Sequence, residues 1–260
     1  ALYNSYHGGA PVILTAGQSD TRAFITEPFL SGNLVEMVKQ YTKWSAEITH
    51  AGDIPIAIRR AFKEAKTPPT GPVFLSFPWN SMDETANMDI VPSGSLYSQI
   101  RPDSKAVAEA SRILAGAKTP FLLLGDRVAR ANAMPEAIEL AEITGAKVYS
   151  VGQSELTFPT GHSQFAGTLN VTSLSLSDQL AEADVILAVG SNVFASIFYM
   201  ADPAISKKTK LIHLDNNPKE IEKIYPTDVG MLADPKAGME ALSEALEIDM
   251  SGSAKEAAKN

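Results

Sequence analysis

Apolar residues in the second half of the chain come as short unbroken runs separated by stretches of helical period, most clearly between Lys118 and Gln153. Phe121 to Leu124 is a continuous apolar run that stops at Gly125-Asp126. Ala137, Leu140, Ala141 and Ile143 then recur at helical spacing, Gly145 sits at a C-cap position, and Val148 to Val151 alternates as a second strand. A strand, a helix and a strand in this order require a parallel sheet with helices on both faces. Ligands of such sheets gather in the crevice beyond the carboxyl ends of the strands.

The same pattern extends in both directions. Asp103 can cap a helix carrying Val107, Ala110, Ile113 and Leu114. After a long loop from Leu156 to Asn170 and a helix over 175–182, Asp184 to Val189 reads as a third strand and Lys210 to Leu214 as a fourth. A helix is expected from Lys219, a fifth strand over Val229 to Leu232, a closing helix over Pro235 to Leu246, and a polar tail over 251–260. No internal repeat is evident.

The first half is less regular. Ala1 to Gly9 reads as the last turns of a helix with a Gly-Gly C-cap, followed by a strand over Pro11 to Thr15 and a turn at Gly17-Gln18. This opening leads us to expect that the chain starts inside a domain. Gln18 to Trp44 is read as loop and helix broken at Pro28 and Gly32-Asn33. Asp53 suits the N-cap of a helix to Lys66, with Pro55 in its first turn and Ile54, Ala57, Ile58, Ala61, Phe62 and Ala65 as its buried stripe. Val73 to Phe77 is a second buried strand, and Asn80 to Ser98 is polar and without period. The expected organisation is an incomplete α/β domain over 1–80, a linker over 81–100, a doubly wound α/β domain over 101–250 and a tail.

Composition narrows the function classes. A net charge of −8 argues against nucleic acid and against an anionic membrane surface as partners. Zero cysteines remove disulfides, thiolate metal sites and cysteine nucleophiles, and with them a deacylase of sirtuin type built on paired zinc ligands. No stretch approaches the length of a membrane span and the start lacks signal-peptide regions, so a cytoplasmic location is expected. The four histidines, at 7, 50, 162 and 213, have no metal-ligand spacing, and His213 inside an apolar strand reads as a core residue.

Three strand ends should converge: Gly125-Asp126-Arg127, Gly190-Ser191-Asn192 and Asp215-Asn216-Asn217. Glycines there would let backbone approach a pyrophosphate, Arg127 would offset its charge and Asp215 would accept from a ribose hydroxyl. Plain turn chemistry explains the same residues, because Gly, Asp and Asn are what tight turns into helices need. The sequence has no GxGxxG, so both readings stay open.

Several phrases, in order, resemble one family. PVILTAGQSDTR (11–22), LSGNL (30–34), TKW (42–44) and PPTGPVFLSFP (68–78) resemble the second half of the pyrimidine-binding domain of thiamine-diphosphate-dependent enzymes, in the branch of acetolactate synthases and benzoylformate decarboxylases. TPFLLLGDRV, FPTGHSQFAG, ADVILAVGSNVF and KLIHLDNNPKEI resemble the Rossmann-like, DHS-like central domain of that family.

The resemblance implies a 2-oxoacid decarboxylase or carboligase that uses thiamine diphosphate and Mg2+ and works as a homodimer or homotetramer. It implies that the activating glutamate and the metal-holding motif lie outside these residues, so that this chain alone is inactive. Gln18 corresponds to a glutamine near the thiamine site, where a neutral amide can orient a substrate but not act as a base. Phe194, Ile197 and Phe198 fall in the stretch that reaches the substrate. At the position of a histidine in benzoylformate decarboxylases stands Ile197, which cannot transfer protons. Acetolactate synthases carry flavin-adenine dinucleotide in the central domain and an oxalyl-CoA branch carries adenosine diphosphate. Asp215 keeps a nucleotide open, but a flavin glycine pattern is not evident and a flavin is not expected. The other reading is a noncatalytic nucleotide-binding or assembly module of Rossmann type.

Overall fold

The computed structural model describes residues 1–151, 155–171, 175–194, 199 and 202–249. The chain divides into two compact units, Ala1–Ser98 and Gln99–Asn260.

The first unit opens with helix α1 (Leu2–Gly8), closed by Gly9 in the left-handed region at φ 66°. Strand β1 (Ile13–Gln18), a 3-10 turn over Thr21–Thr26, helix α2 (Leu34–Val38) and strand β2 (Trp44–Glu47) follow. Helix α3 (Ile54–Lys66), strand β3 (Val73–Pro78) and helix α4 (Trp79–Asp83) complete it. The strands form a parallel sheet in the order β1-β3-β2, with Val73 facing both Ile13 and Trp44. Strand β2 begins at the last residue of the stretch read as loop and helix and was not expected, because Ser45 and Glu47 hide the apolar signal of a half-buried edge strand.

Helix α3 matches its expected span but not all of its expected stripe. Ala57, Ala61 and Ala65 are buried against Val73 and Leu75, whereas Phe62 is 51% exposed. Positions four apart form the line that meets the sheet, and Phe62 lies one residue off it. Asp53 precedes the helix but makes no side-chain cap hydrogen bond.

The second unit contains helix α5 (Ser104–Ala115), whose N-cap Asp103 accepts from the Lys105 N–H at 2.8 Å. Strand β4 (Pro120–Leu124), helices α6 (Asp126–Arg130) and α7 (Met134–Thr144) and strand β5 (Lys147–Ser150) come next. Strand β6 (Phe165–Thr168), helix α8 (Leu176–Leu180), strands β7 (Val185–Val189), β8 (Lys210–Asp215) and β9 (Val229–Leu232) and helix α9 (Pro235–Asp249) follow.

All pairings in this sheet are parallel, in the order β6-β5-β4-β7-β8-β9. Alternation sends Leu122, Leu124, Leu187, Val189, Ile212 and Leu214 to a face packed by Leu114, Leu140 and Leu242. It sends Phe121, Leu123, Ile186 and Ala188 to the other, with Leu176 and Leu180. Strands buried on both faces are what continuous apolar runs encode.

Three sequence expectations change here. The crossover after β4 holds two helices rather than one. The stretch 156–170 is not all loop, since Phe165–Thr168 pairs with β5 at the sheet edge. No helix starts at Lys219: residues 218–225 form turns, with Glu222 at φ 57°.

Inside α9, Gly238 faces β8. A Cβ there would lie 2.5 Å from Leu214 Cδ2 and 3.1 Å from its Cγ. The missing side chain lets the last helix settle directly over the residue that precedes Asp215.

Candidate functional site

The strand order reverses between β4 and β7, and the residues after these strands meet there. Gly125 N–H donates to Val189 O at 2.9 Å, Gly190 N–H to Leu214 O at 2.9 Å, and Arg127 N–H to Gly190 O at 3.2 Å. A Cβ on Gly125 would lie 2.3 Å from Gly190 O and 2.4 Å from Ser191 Cα, so the two turns touch backbone to backbone. Gly190 has φ 59°, and its missing Cβ leaves room for Arg127. Both glycines are therefore required by the close approach of the two turns.

Arg127 reaches across the crevice. Its Nε and Nη2 donate to Asp215 Oδ2 at 3.1 and 2.7 Å, and Nη2 also donates to Asn192 Oδ1 at 2.8 Å. The other Asp215 oxygen accepts from the Asn217 N–H at 2.7 Å, and the Asp215 side chain is fully buried. His213, also buried, places Nε2 at 3.2 Å from Ser191 O and 3.7 Å from Asp215 Oδ2. A carbonyl only accepts, so Nε2 carries the proton of that bond. The Ser191 Oγ is buried with no partner among the described residues.

The structure thus brings Gly125, Asp126, Arg127, Gly190, Ser191 and Asp215 to one strand-end cluster. Asn192, placed at this strand end by the sequence but given no role there, and His213, read as a core residue, join it as tie residues. Phe194 turns inward instead of lining an opening: it is buried, has φ 59° and meets the Tyr225 ring edge-on with centroids 6.0 Å apart. Ile197 and Phe198 lie outside the described residues.

Gln18 ends β1 in the first unit and is buried. Its Nε2 donates to Gly32 O at 2.6 Å, and its Oε1 accepts from the Ser19 N–H at 2.9 Å. This amide ties the loop before α2 to the strand end. Beside that loop is an open cavity of about 820 Å3 with Phe24, Pro28 and Val35 as apolar wall and Glu27 and Glu47 as carboxylates. Glu47 accepts from Ser76 Oγ at 3.1 Å. It was not legible in the sequence because its strand was not. Just after β1, a side-chain hydrogen bond from Arg22 lowers the pKa of the Asp20 carboxyl to about 2.

Thiamine diphosphate with Mg2+ needs cations for its diphosphate and a set of oxygen ligands for the metal. The cavity lining contains no lysine or arginine, and no cluster of three or more metal-ligating side chains occurs among the described residues. The residues present do not fit the diphosphate and metal end of that cofactor. No helix among the described residues is long and apolar enough to cross a membrane.

Residues 107–242 match the family description "Thiamine pyrophosphate enzyme, central domain", and the chain belongs to the thiamine pyrophosphate enzymes. Among its relatives, benzoylformate decarboxylase of Pseudomonas aeruginosa is 29% identical over 248 residues, 94% of this chain and 47% of that protein. The acetolactate synthase large subunit of Corynebacterium glutamicum is 28% identical over 240 residues, 90% of this chain and 38% of that protein. The structure of a putative thiamin diphosphate-dependent enzyme from Mycobacterium smegmatis superposes with a TM-score of 0.84 at 30% identity, covering 96% of this chain and 47% of that one. The chain spans about half the length of the curated relatives it matches.

Proposed function

We propose that this chain is the second half of the pyrimidine-binding domain and the central domain of a cytoplasmic thiamine-diphosphate-dependent 2-oxoacid decarboxylase or carboligase, assembled as a homodimer or homotetramer. The observation that carries the reading is the continuous match to benzoylformate decarboxylase over 94% of the chain. When bound, the cofactor supplies the electron sink for loss of carbon dioxide.

The chain's own residues hold and shape. Gln18, with both ends of its amide engaged, positions the loop that walls the first-unit cavity and moves no proton. Phe24, Pro28 and Val35 give that wall an apolar surface, and the Glu47 carboxylate, which accepts from Ser76 Oγ, lines the same cavity. Ile25 and Phe29, both 91% exposed, and Leu30, 80% exposed, give the first unit an apolar surface suited to a subunit contact.

Because the residues present do not fit the diphosphate and metal, the isolated chain is expected to be inactive. Calorimetric titration with thiamine diphosphate and Mg2+ should show no binding at about micromolar affinity, and binding of that strength would overturn the inactivity. The full-length protein should release carbon dioxide from benzoylformate or pyruvate only with the cofactor present. Cofactor-independent behaviour, or no turnover of any 2-oxoacid, would overturn the assignment.

A further inference from the structure

A doubly wound parallel sheet offers its strand-end crevice to nucleotides through three kinds of group: backbone N–H groups for phosphate, a cation to balance it, and an acidic side chain for the ribose. All three are present in this unit, and the arginine, the aspartate and the N–H groups of Gly125, Arg127 and Val128 are engaged within the chain. The N–H groups of Gly125 and Arg127 donate to Val189 O and Gly190 O, and that of Val128 donates to Gly125 O at 3.0 Å. The Arg127 guanidinium is paired to Asp215 and Asn192. Both Asp215 oxygens are taken, one by Arg127 and the other by the Asn217 N–H.

Space is filled in the same way. Gly125 and Gly190 are small because the turn after β4 lies directly on the turn after β7, which leaves no gap between them for a pyrophosphate. We infer that this crevice is closed to adenine nucleotides and flavin, and that the Arg127 guanidinium is its built-in occupant, clamping the turn after β7 to the end of β8.

The electrostatics favour the closed form. For an anion to claim Arg127, the guanidinium must leave Asp215, whose side chain has no exposure to water. The anion would then sit beside a buried carboxylate without a counter-charge, an arrangement far costlier than the loss of one surface ion pair. The disagreement with the flavin of acetolactate synthases follows from side chains that are present.

The test titrates the whole chain with adenosine diphosphate and with flavin-adenine dinucleotide by calorimetry. No saturable binding is expected up to about 1 mM, and a dissociation constant in the range of about 10 μM for either would overturn the inference. Arg127→Ala tests the clamp. Its thermal midpoint should fall and should partly recover with methylguanidinium at about 10 mM but not with the same concentration of sodium chloride, because the small cation refills the place beside Asp215. Equal behaviour in the two salts would overturn the occupancy. If Arg127→Ala does not fold, Arg127→Ala combined with Asp215→Asn removes both charges; it should fold and respond equally to the two salts. A selective response to methylguanidinium there would show that the cation does not act through Asp215 and would overturn the inference.

Discussion

Arg127 Nη2 lies 2.7 Å from Asp215 Oδ2 across 88 residues of sequence, joining the first turn after β4 to the last residue of β8. The carboxylate is fully buried while the guanidinium side chain keeps 14% of its exposure. The two partners should therefore respond unequally to mutation. Removing Arg127 strands a charge away from water, whereas removing the charge of Asp215 leaves a cation that can still reach solvent.

Arg127→Ala is expected to destabilise the chain by about 3–5 kcal/mol, the range for breaking a buried pair from one side. Asp215→Asn should be milder, since an amide oxygen can still accept from the guanidinium. Urea denaturation of both variants measures the order, and an equal or reversed order would remove the argument from burial.

Gly125→Ala and Gly190→Ala should both destabilise, and Gly125→Ala more. At Gly125 a Cβ meets backbone, Gly190 O at 2.3 Å and Ser191 Cα at 2.4 Å, so whole strand ends must part. At Gly190 it meets Arg127 Cβ at 2.9 Å and the backbone of Val128 at 3.0 Å, looser contacts than at Gly125, and adds the strain of φ 59°. A left-handed alanine costs on the order of 1–3 kcal/mol. Denaturation midpoints for the pair test the ranking.

Lys43 gives a pH dependence with a defined sign. Burial is the main reason its pKa is lowered; Lys63 adds to the shift and Glu64 opposes it. Its Nζ donates to Glu64 O at 2.5 Å and Thr67 O at 2.6 Å, closing the end of α3. The unfolded chain holds this proton more tightly, so folding becomes more favourable as pH rises through the window just below about 10.4, the ordinary lysine value. Lys43→Met should lose about 1–3 kcal/mol with those two bonds. The gap between wild type and variant should widen from about pH 9 toward about pH 10.4, as read by denaturation at each pH. A gap that narrows would contradict the burial of Lys43.

Gln18→Glu separates positioning from proton transfer. The carboxylate can still accept from the Ser19 N–H but cannot donate to Gly32 O, which it would face at the present 2.6 Å as a second acceptor. The loop before α2 should loosen, with faster amide exchange over residues 28–33 and a loss of about 1–3 kcal/mol. In the full-length protein, Gln18→Ala should raise KM more than it lowers kcat, with no shift in the pH profile. A shifted profile would mean that the amide touches the reacting proton.

The strands buried on both faces were legible because Phe121 to Leu124 and Val185 to Val189 are apolar without interruption and Leu211 to Leu214 is broken only by His213. Edge strands β2 and β6 were not, because each is only four residues long, Ser45 and Glu47 interrupting the first and Gly167-Thr168 ending the second. The turns after Lys219 read as helix because Glu220, Ile221 and Lys223 have helical propensity, whereas Glu222 stands in the left-handed region and its carboxylate accepts from Thr227. The cluster at the strand ends could be read as a set of residues. Which partner each would choose could not, since the sequence places Arg127 within reach of both a ligand and Asp215, and only the packing of the two glycine turns decides between them.

The glycine within α9 matters to anyone who would harden this protein against heat. Replacing helical glycine by alanine is a common route to a higher melting temperature, because alanine gains about 1 kcal/mol in helix propensity. At position 238 the same exchange would drive a methyl group into Leu214 and push the final helix off the strand that presents Asp215. A stabilisation survey guided by propensity alone would rank this site among its best candidates, and the variant would melt earlier than its parent.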